Sequence, residues 1–314
     1  MYPSSSHAAR SLAAALLLCT VAACGGGDRD PVLGFDGSAY PALNTPLAPA
    51  TPGVTPASPA VSSVVALGGA LPFGAFGGSA GITNQGVSTV INNGAIGTTA
   101  ASTLVTGFHD AGPGCTYTET GSNIGSVQAG VFTAAPPPTV NCPTEGTAST
   151  AATALQARAD ALAAYNALAA KPPGPAAGGG TGNLAGLTLA PGTYTSAPGS
   201  FMIQGGDLTL DGQGDPNAAW VFQMASTLTV GGPGAAFPAN VILVNGAQAK
   251  NVFWQVGSAA TINAAGGGIM VGTLIAQQGA SVSTPGNATL ATIDGRILSL
   301  NASVTMVNTV INVP

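Results

Sequence analysis

Residues 251–314 carry an internal repeat that restricts what this chain can fold into. The stretches 251–272, 273–294 and 295–314 align with one another at a constant offset. Their first segments read Val252-Phe253-Trp254-Gln255, Leu274-Ile275-Ala276-Gln277 and Arg296-Ile297-Leu298-Ser299. Their second segments read Ala259-Ala260-Thr261-Ile262, Ser281-Val282-Ser283-Thr284 and Ser303-Val304-Thr305-Met306. The third segments are Ile269-Met270-Val271, Ala291-Thr292-Ile293 and Ile311-Asn312-Val313. Val, Ile and Thr favour strands, and Gly, Asn or Pro stands between the segments. A unit of about 20 residues built this way cannot bury its own apolar side and must stack on its neighbours. The reading is a mainly β fold, a parallel β-solenoid of roughly triangular cross-section.

Side chains alternate faces along a strand. In the second segments this places Ala260, Val282 and Val304 in one inward column and Ile262, Thr284 and Met306 in another. The opposite parity stacks Ala259 with Ser281 and Ser303, and Thr261 with Ser283 and Thr305, on the outer surface. Thr227-Leu228-Thr229 follows Val221-Phe222-Gln223 as Thr261 follows Val252-Phe253, so it reads as a further rung, with an insertion around 231–238. The expected outer surface is a flat, uncharged ladder of Thr227, Thr229, Thr261, Ser281, Ser283, Ser303 and Thr305. Ala259 interrupts the hydroxyls in one rung.

Charge is scarce along the whole chain. Only 6 residues are Lys or Arg and 11 are Asp or Glu, 5% in all, against about 25% in ordinary soluble proteins. A net charge of −5 with so few cations argues against nucleic acid, whose phosphates are neutralised by Lys and Arg. After the N-terminus no apolar run approaches the roughly 18 residues that a spanning helix needs. At the start of the chain, Arg10 precedes the apolar run 12–21 and Val21-Ala22-Ala23-Cys24 follows, the pattern of an export signal ending in a bacterial lipobox. The expectation is a signal peptide over 1–23 and a lipid anchor on Cys24; cleavage without acylation would give a secreted protein. Gly25, rather than Asp, permits passage to an outer membrane. Seven prolines from Pro31 to Pro59 make 24–60 an extended linker, and the folded domain occupies 61–314.

Within that domain Ala75-Phe76-Gly77-Gly78-Ser79-Ala80-Gly81-Ile82-Thr83-Asn84, then Gly94-Ala95-Ile96-Gly97 and Val105-Thr106-Gly107-Phe108, resembles the opening of the β-solenoid ice-binding protein family of cold-adapted microbes. Leu189-Ala190-Pro191-Gly192-Thr193-Tyr194, Asp211-Gly212-Gln213-Gly214-Asp215-Pro216-Asn217-Ala218 and Val252-Phe253-Trp254-Gln255-Val256-Gly257-Ser258 extend the resemblance. It runs from about Leu67 to the end of the sequence. It implies a right-handed solenoid, a long helix lying along it, a variable segment capping one end, and adsorption to ice through one face. The helix is legible independently: 148–171 is Ala-rich and free of Gly and Pro, and Pro172-Pro173 ends it. Leu155, Leu162, Tyr165 and Leu168 form its apolar stripe. At 1.5 Å per residue such a helix spans about 35 Å, roughly seven strand spacings.

The segment 110–147 reads as the capping insertion, and in an exported chain its Cys115 and Cys142 are expected to form a disulfide. His109 is the one histidine after the signal, and no nucleophile-elbow pattern or zinc ligand set accompanies it. It reads as a solvated loop residue. Asp207, Asp211 and Asp215 read as turn residues, and Arg296 as a partner of Asp294 or a cap of the solenoid. No catalytic residue, metal or cofactor is expected. The functional expectation is a monomeric, exported ice-binding domain, held at the outer membrane or cell surface through Cys24, that adsorbs to ice crystals and inhibits their growth or recrystallisation. The alternatives are a cell-envelope adhesin or structural solenoid without ice affinity, and a carbohydrate-active solenoid enzyme, which would need clustered carboxylates.

Overall fold

Short runs that alternate Val, Ile, Leu or aromatic residues with Thr, Ser or Asn form strands with one side turned inward, and these stack in parallel. The computed structural model describes residues 64–112, 114–232, 239–264, 267–283 and 289–314. The expected signal over 1–23, the linker over 24–60 and Cys24 lie outside the described residues, as do Thr284 and most of the 231–238 insertion.

The strands build three faces. One runs from Gly192–Thr195 through Trp220–Met224 and Val252–Val256 to Phe73–Gly77 and Val131–Ala134, and carries the helix. The second is a separate seven-stranded parallel sheet of Phe201–Ile203, Leu228–Val230, Ala259–Ile262, Gly279–Val282, Val304–Met306, Ile82–Asn84 and Val105–Thr106. The third begins with Thr188–Leu189, Leu208–Asp211 and Val241–Val244, and resumes with 269–271, 291–294, Thr309–Asn312, Thr89–Asn92 and Gly125–Val127. Strands Ile269–Ala276 and Ala291–Ser299 turn the corner from third face to first without a break. They do so through Gly272 and Gly295, which lie side by side; a Cβ on Gly295 would stand 1.9 Å from the Gly272 carbonyl oxygen.

Coils do not stack in sequence order. Val304–Met306 pairs with Ile82–Asn84, Thr309–Asn312 with Thr89–Asn92, and Ala291–Ser299 with Phe73–Gly77. The two ends of the domain therefore meet in the middle of the stack. Asn308 sews this junction, its Oδ1 accepting from Val87 N and Ser88 N at 3.1 Å each. Inside, Tyr194, Phe222 and Trp254 stack face to face, with ring centroids 5.7 and 4.0 Å apart. The Trp254 indole N–H is satisfied by donating to Val271 O at 2.8 Å.

Register corrects the constant offset of the sequence alignment. Thr261 pairs with Ser281, and Ser281 with Thr305, so the first of these coils is shorter than the second. In the second segments the offset read from the sequence is the mean of two unequal coils, so the outer rungs align as read and the middle one is displaced by two positions; in the first segments Trp254 pairs with Leu274 and Leu274 with Ile297. The inward columns are Ala260, Ala280 and Val304, and Ile262, Val282 and Met306.

The helix, Ala148–Ala169, packs along the first face. Thr147 caps its start in a reciprocal capping box with Thr150. At its end Gln223 Nε2 donates to Leu168 O and Lys171 O at 2.8 and 3.0 Å. The buried side is Ala154, Ala157, Ala161, Ala164, Tyr165 and Leu168, while Leu155 and Leu162 are exposed. Of the expected stripe, Tyr165 and Leu168 are buried, whereas the places given to Leu155 and Leu162 are taken by alanines. A helix with apolar residues all round is oriented by shape, and alanine admits the closest approach to a nearly flat sheet carrying Phe76, Phe253, Ile275 and Leu298.

The insertion 110–147 is part cap and part coil. Cys115–Cys142 is a disulfide, and Phe108–His109 pairs antiparallel with Thr116–Tyr117. Within the same stretch Gly125–Val127 and Val131–Ala134 extend two of the solenoid faces. Arg296 does not meet Asp294: it donates to Leu71 O and Pro314 O, and Asp294 instead accepts from Asn312 Nδ2 at 2.7 Å.

Candidate functional site

The seven-stranded face presents one outward column in continuous register: Met202, Thr229, Thr261, Ser281, Thr305, Thr83 and Thr106. Adjacent rungs of a parallel sheet lie about 4.8 Å apart, so the column runs for nearly 30 Å. Thr261 and Ser281 are exposed, and the other hydroxyl rungs are half-buried between neighbours. Thr305 Oγ1 donates to Ser281 Oγ at 3.1 Å. None of these seven strands contains Asp, Glu, Lys or Arg. The inward neighbours of the column, among them Ile82, Leu228, Val282, Val304 and Met306, are fully buried and hold the backbone from below.

Of the residues expected on the face, Thr229, Thr261, Ser281 and Thr305 fall in this column. Thr227 and Ser303 flank it, beside Ser200, Ala259 and Gly279. Thr227 Oγ1 and Ser200 Oγ lie 3.0 Å apart. Ser283 falls in neither column: it follows the end of its strand at φ +66°, its N–H donating to Ile262 O at 2.7 Å. Sequence reasoning missed Thr83 and Thr106, because strands from the opposite end of the domain continue the same sheet. The signal that could have found them is Ile82-Thr83-Asn84, which matches Val304-Thr305-Met306 in pattern.

The other faces differ. The helix covers the first. The third is interrupted between Val241–Val244 and 269–271 by a cleft of about 430 Å³, and Asp294 lines it. Among the described residues, the second face is therefore the continuous, uncovered and charge-free one.

Groups capable of chemistry lie elsewhere and apart. His109 is corrected from a loop residue to a strand residue, with Nδ1 2.6 Å from Glu119 Oε1. Asp211 and Asp215 each accept a backbone N–H two residues on, at 2.9 and 2.8 Å, and Asp207 accepts from Asn240 N at 2.8 Å. These are turn and loop contacts. Glu145 is buried against the Tyr117 hydroxyl; burial, reinforced by Asp110, pushes its carboxyl up to about 7. Cys115 and Cys142, close to it, are spent on the disulfide.

These features define a class: a rigid parallel β-solenoid that presents a flat array of hydroxyls and methyls without charge. A family model described as ice-binding-like matches residues 76–312, and the chain belongs to that family. It is 39% identical over 200 residues to an ice-binding protein of Nostoc sp. (strain HG1), a match covering 62% of this chain and 66% of that protein. It is 36% identical over 152 residues to ice-binding protein 1 of Shewanella frigidimarina (strain NCIMB 400), covering 48% of this chain and 16% of that protein. The chain thus spans just under two thirds of the first relative and a small part of the second. Among solved structures it resembles the ice-binding protein LeIBP from an Arctic yeast, described for its antifreeze activity, with TM-score 0.60 and 28% identity over 80% of this chain and 95% of that one.

Proposed function

We propose that this domain adsorbs to ice through the outward column of its second face, with Thr229, Thr261, Ser281, Thr305, Thr83 and Thr106 as contacts and Thr227 and Ser303 at their flank. The observation that carries the reading is the unbroken, charge-free register of that column on a packed scaffold. A charged group keeps its own hydration shell and disrupts a lattice of neutral water. Threonine supplies a hydroxyl that anchors water and a methyl that restricts it. Each contact is weak, but the strands are already fixed, so little conformational entropy is lost when many act together. Adsorbed molecules then pin the ice front and force it to curve between them, which slows growth and recrystallisation. The activity breaks no bond, and the domain acts as a monomer without cofactor or catalysis.

In this reading the residues before the domain serve delivery. Residues 1–23 direct export, Cys24 carries the lipid anchor, and 24–60 holds the solenoid away from the outer membrane or cell surface. Mass spectrometry of the protein purified from bacterial membranes, with a Cys24→Ser variant for comparison, tests the anchor; an N-terminal peptide without lipid would make the protein a secreted one.

The function is tested by ice recrystallisation inhibition and thermal hysteresis on the full chain, beside Thr261→Tyr and Thr305→Tyr. Each variant is expected to need about tenfold more protein for the same inhibition, with an unchanged circular-dichroism spectrum. Undiminished activity in both variants would move ice binding to another face. No activity in the folded parent would leave an envelope adhesin or structural solenoid as the better account.

A further inference from the structure

Gln255 is 6% exposed, yet among the described residues neither end of its amide has a hydrogen-bond partner. It stands in register with Gln223 on the outward side of the first face, near the end of the helix. Gln223 shows what such an amide needs. Its Oε1 accepts from Thr195 Oγ1 at 2.8 Å, and its Nε2 donates to Leu168 O and Lys171 O. The neighbouring hydroxyls are satisfied as well: Thr195 Oγ1 also accepts from Gly174 N at 3.1 Å, and Ser196 Oγ donates to Ser200 O at 2.6 Å. The Gln255 amide is left with a free acceptor and two free donors, and burying these without partners is costly.

The amide opens into a cleft of about 310 Å³, at the small end of the roughly 300–1,000 Å³ typical of ligand sites. Lys171 lines the same cleft, and no Asp or Glu side chain lies within ion-pair distance of it among the described residues. Pro173, Met224 and Ala225 give the cleft an apolar side. A ligand that suits these groups has an anionic head for the ammonium, an acceptor and a donor side by side for the amide, and a short carbon body. A 2-hydroxycarboxylate carries all three. One carboxylate oxygen accepts from the amide nitrogen while the adjacent hydroxyl donates to the amide oxygen.

We infer that this cleft binds a small 2-hydroxycarboxylate, its carboxylate between Lys171 and Gln255 Nε2 and its hydroxyl donating to Gln255 Oε1. The cleft takes in no residue of the threonine column, so it does not depend on the ice reading.

The test is calorimetric titration of the full chain with lactate, beside propionate, which lacks the hydroxyl, and propane-1,2-diol, which lacks the carboxylate. Saturable binding of lactate is expected, about tenfold weaker binding of propionate, and none of the diol. Gln255→Leu should abolish lactate binding and melt no lower than the parent, because it removes a buried amide that has no partner. Lys171→Gln should weaken lactate binding about fivefold. If Gln255→Leu melts lower, the propionate comparison and Lys171→Gln decide. No saturable binding to the folded parent would show that water alone serves the Gln255 amide and would overturn the site. Propionate bound as tightly as lactate, or lactate bound equally by either variant, would overturn it as well.

Discussion

Glu145 joins the cap to its Tyr117 by a hydrogen bond in a place where water is largely excluded. Burial lifts its carboxyl from 4.5 to about 7, helped by Asp110 and opposed by the Tyr117 hydroxyl. The folded protein therefore holds this proton more tightly than the unfolded chain does. The stabilisation is complete below about pH 4.5 and is lost as pH rises through about 7. The expected outcome is a melting temperature higher at pH 5 than at pH 8, with the difference reduced in Glu145→Gln. Differential scanning calorimetry at both pH values checks it, and an identical pH response in the variant would refute the assignment. Ser281 and Ser283 show what the sequence reveals at this scale and what it does not. Both are small and polar at alternate positions, so composition alone cannot say which joins Thr261. Backbone pairing chooses Ser281, and a positive φ takes Ser283 out of the strand.

At the scale of elements, the helix was legible in its existence, its start and its termination by proline, but not in which side it buries. Leu155 and Leu162 carry the larger transfer energy, yet they stay exposed because Ala154, Ala157, Ala161 and Ala164 occupy the close approach to the sheet, and only Tyr165 and Leu168, towards the helix end, bury larger side chains. Ala161 is 1% exposed on the packed side. Ala161→Leu is expected to destabilise the domain by about 1–3 kcal/mol through overpacking. Leu162→Ala, on the outer side, should change stability by under about 1 kcal/mol. Urea denaturation midpoints distinguish the two, and the reverse order would restore the leucine stripe as the buried face. The corner strands were likewise legible only in part. Their Val and Ile content marks them as strands, but they read as separate segments, whereas paired Gly272 and Gly295 let each run through two faces.

At the scale of the molecule, the chain is closed by pairing its last coil with its first. The helix accompanies this arrangement: Thr150 near its start donates to Thr133 O at one end of the stack, and Leu168 near its end is held by Gln223 towards the other. Because of the closure, Thr83 is a direct neighbour of Thr305 in the outward column. Thr83→Tyr is expected to reduce ice recrystallisation inhibition about as much as Thr305→Tyr, about tenfold. Thr188→Tyr, exposed on the third face, should leave it unchanged. Activity lost with Thr188→Tyr and kept with Thr83→Tyr would assign ice contact to the third face.

The sequence by itself determined that this chain makes short strands, that the strands must stack as coils, and that the stack offers ice or any other partner a surface nearly without charge. Those properties are local: β-branched residues, alternation, turn residues and the absence of Lys, Arg, Asp and Glu act within one coil. Only the tertiary structure decided which coils touch, which hydroxyls share a column and which side of the helix is buried. Those choices depend on hydrogen bonds between strands from opposite ends of the domain and on corners that lengthen one coil and shorten the next. A sequence period records the mean length of a coil. Register is set by the backbone groups that meet across it.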